Sequence, residues 1–245
     1  MQYEIVTIFP VIFEAYFSEG IIKRAIRQGL ITVKVHNLRD YTSDKHRTVD
    51  DYPYGGGPGM VMKPEPIFRA VKFIKADGVD TCTIMLTPQG VRFHQEMAVK
   101  LSKEKRRLLF LCGRYEAIDD RVRNMLADMQ VSIGDYVLSG GELPALVIID
   151  SIVRVLPGAL GDAHSVEEES FSWGILDYPH YTRPPEYEGL KVPDVLISGN
   201  HKEINRWRRK EALRMTWQKR PDLLQTISLS DEDKILLSEI EEEVR

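Results

Sequence analysis

The chain has little cysteine: 245 residues contain Cys82 and Cys112 alone, each inside an apolar, strand-like run, so buried thiols are expected rather than a disulfide. No run approaches the roughly 18–20 apolar residues that a membrane span needs, and the start MQYEIVTIFP carries an acid where a signal peptide carries basic charge. A cytoplasmic protein without a membrane partner is the expectation. His36, His46, His94, His164, His180 and His201 show none of the close pair spacings that bind zinc, and no protein-ligated metal is expected. Positive charge is not in excess either. A formal net charge of −4 excludes a generally basic nucleic-acid binder and leaves any RNA contact to local patches.

What is present suits a folded α/β chain. With 43% apolar residues, the length supports one sizeable domain and a smaller one. Tyr3 to Phe9 reads as a strand leading into an amphipathic helix with Phe13, Phe17, Ile21 and Ala25 at four-residue spacing. Ile31, Val33 and Val35 alternate with polar residues in a half-buried second strand. Residues 82–86, 108–112 and 131–133 read as further strands, separated by helix-like spans at 66–75 and about 93–102. Strands alternating with helices imply a parallel sheet, in which ligands sit beyond the carboxyl ends of the strands. Loops 87–90, 113–116 and 134–142 are therefore expected to meet at one pocket.

The third of these loops is the most informative stretch. A β-branched run feeds Gly134-Asp135-Tyr136-Val137-Leu138-Ser139-Gly140-Gly141, which feeds a helix with Glu142 and Pro144 in its first turn. Glycines let main-chain groups approach a ligand without Cβ obstruction, and a flat purine can be held by backbone alone. A tight strand-to-helix turn without ligand fits the stretch equally well. Tyr52-Pro53-Tyr54-Gly55-Gly56-Gly57-Pro58-Gly59-Met60 is a second glycine loop; no Gly-Lys-Ser/Thr follows it, which excludes a P-loop and leaves either a rigid irregular loop or a substrate-facing one.

Residues 143–156 form a predicted helix with Leu146, Ile149, Val153 and Leu156 on one face, ended by Pro157-Gly158. Asp150 and Arg154 lie four apart, either as a surface ion pair or with Arg154 polarising a substrate oxygen. Residues 159–177 hold Asp162, Glu167, Glu168, Glu169 and Asp177 with no Lys or Arg, which reads as an acidic linker. A carboxylate dried there by a ligand would serve as a general base. From His201 to Arg220 the sign reverses: Lys202, Arg206, Arg208, Arg209, Lys210, Arg214, Lys219 and Arg220 interleave with Trp207 and Trp217. That pattern suits an RNA-facing helix, a helix whose tryptophans pack in a small core, or both. An RNA-binding protein without catalysis is a rival reading; a hydrolase built on Glu116 and the linker acids is a poorer one, since adjacent acids do not make an opposed pair.

Several motifs in order carry a more specific signal: Ile8-Phe9-Pro10, the loop Tyr54 to Met60, Pro88-Gln89-Gly90, Cys112-Gly113-Arg114-Tyr115-Glu116, residues 133–142, Pro179-His180-Tyr181-Thr182-Arg183-Pro184 and Leu196-Ile197-Ser198-Gly199-Asn200-His201. Over nearly its whole length the chain resembles the bacterial-type tRNA (guanine-N1)-methyltransferases of the knotted SPOUT superfamily. The resemblance implies a knotted α/β domain over 1–158, a flexible linker over 159–177, a helical tRNA-binding domain over 178–245 and an obligate homodimer. It implies that S-adenosylmethionine lies in the knot against Leu86, Thr87, Pro88, Gly113, Tyr115, Glu116, Ile133 to Leu138, Gly140, Gly141 and Pro144. The substrate implied is tRNA with guanosine at position 37, met by Gly57, Asp177, His180, Arg183, Ser198, Gly199, Asn200, His201, Arg206 and Arg208. Arg154 is implied beside the guanine, with a carboxylate of the partner's linker at N1. The family usually has Asp before the Ser-Phe pair, whereas Glu169 precedes Ser170-Phe171 here, with Glu168 the competing base. A divalent cation such as Mg2+ is also implied, with no site named.

Overall fold

A computed structural model of the chain describes residues 1–160 and 169–244. It divides into two compact units, Met1–Ala163 and His164–Arg245. The first unit runs β1 (Gln2–Thr7), α1 (Val11–Phe17), α2 (Gly20–Arg27), β2 (Thr32–Asn37), β3 (Asp50–Asp51), β4 (Val61–Met62) and α3 (Pro64–Lys75). There follow β5 (Thr81–Arg92), α4 (Gln95–Ser102), β6 (Arg107–Cys112), β7 (Ala117–Ile118), α5 (Asp120–Leu126), β8 (Met129–Ser132) and α6 (Glu142–Arg154).

Five strands form a parallel sheet in the order β2-β1-β6-β5-β8. Its central strand β6 is apolar on both faces from Leu108 to Cys112, because helices cover both faces of the sheet. Along β6, Leu108, Phe110 and Cys112 point into a core shared with α1, α2, α4 and α6, whereas Leu109 and Leu111 enter one shared with α3 and α5. All five are buried, and each fully buried Leu or Phe contributes about 1.5–3 kcal/mol.

Three local features differ from expectation. The apolar stripe from Phe13 to Ala25 is split between α1 and α2, since Gly20 takes a left-handed φ of +65°. Residues 87–90 do not end their strand: Leu86 and Val91 both oppose Val131, so the four residues bulge out and β5 continues to Arg92. Gly90 closes that bulge, because a Cβ there would lie 2.4 Å from the Val131 amide nitrogen. Helix α5 was not foreseen; it is seven residues long and is capped by the Asp119 carboxylate, which accepts from the Arg121 amide.

The second unit contains a hairpin of β9 (Glu186–Tyr187) and β10 (Leu190–Lys191), then α7 (Asp194–Ile197), α8 (His201–Lys219), α9 (Pro221–Leu224) and α10 (Asp231–Val244). Ala212 and Leu213 of α8 bury against Leu236 and Ile240 of α10, with Trp173, Ile175, Tyr178 and Trp217 around them. Residues expected to lie in a linker thus contribute to this core. Within it, the Leu176 amide donates to Thr216 Oγ1 at 2.9 Å, and the Asp177 amide donates to Ser170 Oγ at 2.9 Å.

Helix α8 spends much of its positive charge on α10. Arg209 forks onto Asp233 at 2.7 and 2.9 Å, Lys210 bridges Glu239 and Glu243, Arg214 reaches Glu243, and Arg206 reaches Glu239. Asp233 also closes a capping box with Ser230 at the start of α10. The Arg209 guanidinium holds the Asp233 carboxyl below its usual range, and Lys210 does the same for Glu239 and Glu243. Carboxyls depressed in the folded state stabilise above their ordinary value, and that stability is lost as pH falls through the lowered one. The advantage of the native protein over Lys210→Met, read by urea unfolding with tryptophan emission, is therefore expected at pH 7 and to vanish as pH drops well below about 4.

Candidate active site

The three loops meet. A cavity of about 600 Å³ opens at the bulge of β5 and beyond the carboxyl ends of β6 and β8, a volume suited to a cofactor-sized molecule. Leu86, Thr87 and Pro88 of the β5 bulge form one wall, and Gly113, Tyr115 and Glu116 after β6 form the next. Ile133, Gly134, Tyr136, Val137 and Leu138, then Gly140, Gly141 and Pro144, complete it.

Backbone approach explains the glycines. A Cβ on Gly141 would lie 2.7 Å from Cys112 Cα, and the Gly141 amide donates to the Gly113 carbonyl at 2.9 Å. A Cβ on Gly140 would strike the Arg114 side chain at 2.2 Å. Tyr115 adopts φ +61°, an uncommon conformation for an aromatic residue, at the cavity wall. Loop 52–60 is tied to this wall from outside: the Glu116 amide donates to the Met60 carbonyl at 3.0 Å, and β4 pairs with β7 just beyond. Gly59, at φ +78°, leaves room for the Glu116 carboxylate, which a Cβ would meet at 2.3 Å. Cys112 is not a nucleophile; burial pushes its thiol well above the ordinary value.

A buried charge pair holds the loops together. Glu142, 1% exposed at the first turn of α6, accepts from Thr7 Oγ1 at 2.7 Å and from Arg114 Nε at 2.9 Å. Arg114 also donates to the Ser139 carbonyl at 3.1 Å and lies 4.5 Å over the Phe9 ring. One guanidinium thus joins the ends of β1 and β6, loop 134–141 and the N-terminus of α6.

Other predicted residues lie elsewhere. Asp135 does not line the cavity; it pairs with Arg92 at 3.0 Å on the rim. Arg154 sits at the far end of α6, ten residues or about 15 Å along the axis from Pro144. Its expected neighbour Asp150 accepts from Tyr16 Oη at 3.0 Å. Glu169 begins the described part of the second unit, its carbonyl accepting from the Ser172 amide at 3.0 Å; Glu167 and Glu168 fall outside the described residues. Gly57 is exposed on loop 52–60 at φ +123°.

The remaining predicted positions belong to the second unit. His180 pairs with Asp177 at 2.9 Å, and Ser198, Gly199 and Asn200 shape the start of α8, where the Asn200 side chain accepts from the Glu203 amide. His180, His201 and Arg208 line a second cavity of about 240 Å³ with Tyr181 and Trp207; Arg183 is exposed nearby in sequence, and Arg206 is turned to Glu239. Trp217 packs in the core instead. Sequence reading missed Asp120 and Arg123 in the larger cavity. Their short helix has no apolar period to reveal it.

Removing one partner of a buried pair leaves the other charge uncompensated, at a cost of about 3–5 kcal/mol. Arg114→Met is expected to lose stability in that range by urea denaturation. Arg114→Met combined with Glu142→Gln is expected to recover part of it.

The assembled site has known relatives. The family model described as tRNA (Guanine-1)-methyltransferase TrmD matches residues 1–226. A curated tRNA (guanine-N(1)-)-methyltransferase from Dictyoglomus turgidum is 58% identical over 245 residues, covering 100% of this chain and 98% of the relative. Relatives of the same name from a Sulfurihydrogenibium species and from Moorella thermoacetica are 55% and 51% identical, each covering 98% of this chain and 94% and 96% of their own length. A family model matched along almost the whole chain, with relatives more than half identical over its length, makes this protein a member of the tRNA (Guanine-1)-methyltransferase family.

Proposed function

We propose that this chain transfers a methyl group from S-adenosylmethionine to N1 of guanosine at position 37 of tRNA, as a cytoplasmic homodimer. The observation that carries the reading is the convergence of three loops on a backbone-lined cavity of about 600 Å³ in a member of this family. Glycines that no Cβ could replace fit a purine held edge-on by main-chain groups. Bound there, S-adenosylmethionine would supply an electrophilic sulfonium methyl group and would leave as S-adenosylhomocysteine once the methyl has passed to N1.

The chain's own residues prepare the nucleophile. N1 is a poor nucleophile until its proton leaves, so Glu169 takes that proton, with Glu168 the alternative base, while Arg154 stabilises charge building on O6. Among the described residues no group of three or more His, Cys, Asp or Glu is placed to hold an ion, so no step is routed through Mg2+. In the same reading the loops around Gly113 and Gly140 are crossings of a deep trefoil knot. The isolated bridge between Arg114 and Gly140 holds these two loops side by side.

The homodimer in this reading is supported by the surroundings of Arg154. Ten residues of helix separate it from Pro144 at the cofactor cavity, and Leu143 and Val147, on the face of α6 that leads to Arg154, are exposed at 54% and 44%. Val11 and Tyr16 of α1 extend that apolar surface at 69% and 44%. A second copy seated there would bring its linker carboxylate to the guanine beside Arg154, so that each site draws on both chains. In the second unit, Arg208 Nε is buried without a protein acceptor among the described residues, a donor that a tRNA phosphate would satisfy.

Calorimetry with S-adenosylmethionine tests the cavity. Binding is expected, and Gly140→Val is expected to abolish it; no binding would favour an RNA-binding protein without catalysis. Glu169→Gln is expected to lower methyl transfer by about 10²–10⁴-fold while cofactor binding persists. Co-expressed Arg154→Met and Glu169→Gln chains are expected to regain activity as heterodimers, since one of two shared sites is then intact. No recovery would place both residues in one subunit's site.

A further inference from the structure

The cofactor cavity is chemically two-sided. The lining residues from 133–144 include no Asp, Glu, Lys or Arg, whereas residues 116–123 contribute Glu116, Asp120 and Arg123. Lining cations among the described residues are Arg114 and Arg123. Arg114 is engaged by the buried Glu142 and capped by Phe9. Arg123 is differently placed: its side chain is 33% exposed, Nη2 lies 2.5 Å from Asp120 Oδ1, and Nη1 donates to Gln89 Oε1 at 3.0 Å. Gln89 is carried on the β5 bulge that walls the cavity.

We infer that Arg123 is the binding residue for the α-carboxylate of the cofactor's amino-acid end, with Asp120 as its positioning residue. The inference rests on the proposal that S-adenosylmethionine occupies this cavity. A ligand with a flat nucleoside at one end and a zwitterion at the other has one complementary orientation here. Its nucleoside faces the backbone-lined side, and its zwitterion faces residues 116–123. There the carboxylate meets the cation not held by a buried acid, and the ammonium meets Glu116 and Asp120. The amide oxygen of Gln89 is a neutral acceptor, and a carboxylate displaces it because a charge-assisted bond is about twice as strong. Asp120 fixes the guanidinium through Nη2, leaving the Nη1 edge directed at the bulge and the cavity. Binding there joins α5, ligand and bulge in place of the direct contact.

Two ligands isolate the carboxylate. S-adenosylhomocysteine and its decarboxylated analogue, which keeps the nucleoside, sulfur and amine, are titrated calorimetrically into the full-length native protein and into Arg123→Met. The native protein is expected to prefer S-adenosylhomocysteine, and Arg123→Met to lose about tenfold in affinity for it while binding the decarboxylated analogue within about twofold of native. Arg123→Lys is expected to keep part of the preference. Equal losses for both ligands would make Arg123 a strut for the bulge and overturn the inference, as would no loss for either. Absence of binding by both ligands to the native protein would instead overturn the cofactor reading itself.

Discussion

The buried contact between Glu142 and Arg114 is the constraint on which the rest of the first unit depends. Its partners come from distant parts of the chain: Thr7 ends β1, Arg114 follows β6, Ser139 belongs to the glycine loop and Glu142 starts α6. A carboxylate at 1% exposure is tolerable only if its lone pairs and charge are answered, and the hydroxyl and guanidinium do so. Its place at a helix N-terminus adds the favourable end of the backbone dipole. Because the guanidinium also holds the Ser139 carbonyl, the loop cannot leave β6 without exposing an unpaired buried charge. The cavity is thereby preorganised by groups set beside and behind its wall.

Preorganisation explains why backbone does so much at this site. The Gly141 amide is committed to the Gly113 carbonyl, and Gly90 closes the β5 bulge against Val131 where no Cβ fits. Each contact brings two chain segments nearer than side chains permit, so the cavity is narrow and lined by main-chain groups of fixed direction. Such a surface recognises a flat heterocycle by its edge pattern at little cost in side-chain entropy.

Much of this architecture was legible in the sequence, for identifiable reasons. Leu108 to Cys112 is apolar throughout because a central parallel strand is buried on both faces, and that signal needs no partner to be read. The carboxyl-end rule then places loops 87–90, 113–116 and 134–142 together. Interruptions were harder to see. The break at Gly20 leaves the four-residue spacing of Phe13 to Ala25 intact, and the bulge at Thr87 to Gly90 looks like a strand end because both use proline and glycine. Arg123 and Asp120 sit on a seven-residue helix too short to show an apolar period, and only the fold places them on the cavity.

The basic helix shows where charge counting stops short. Eight cations between His201 and Arg220 read as an RNA surface, yet Arg206, Arg209, Lys210 and Arg214 are turned toward the acids of α10. Acidic α10 is therefore a counterpart that lets α8 carry basic residues without self-repulsion, and it removes them from the set available to phosphate. Lys202 and Lys219 stay exposed, while Arg208 stands over Tyr178 beside the small aromatic cavity. In the proposed reading, tRNA recognition rests on few cations and on shaped aromatic contacts, and so discriminates by geometry more than by charge. That balance suits an enzyme that must find one nucleotide in a folded RNA while carrying a net charge of −4.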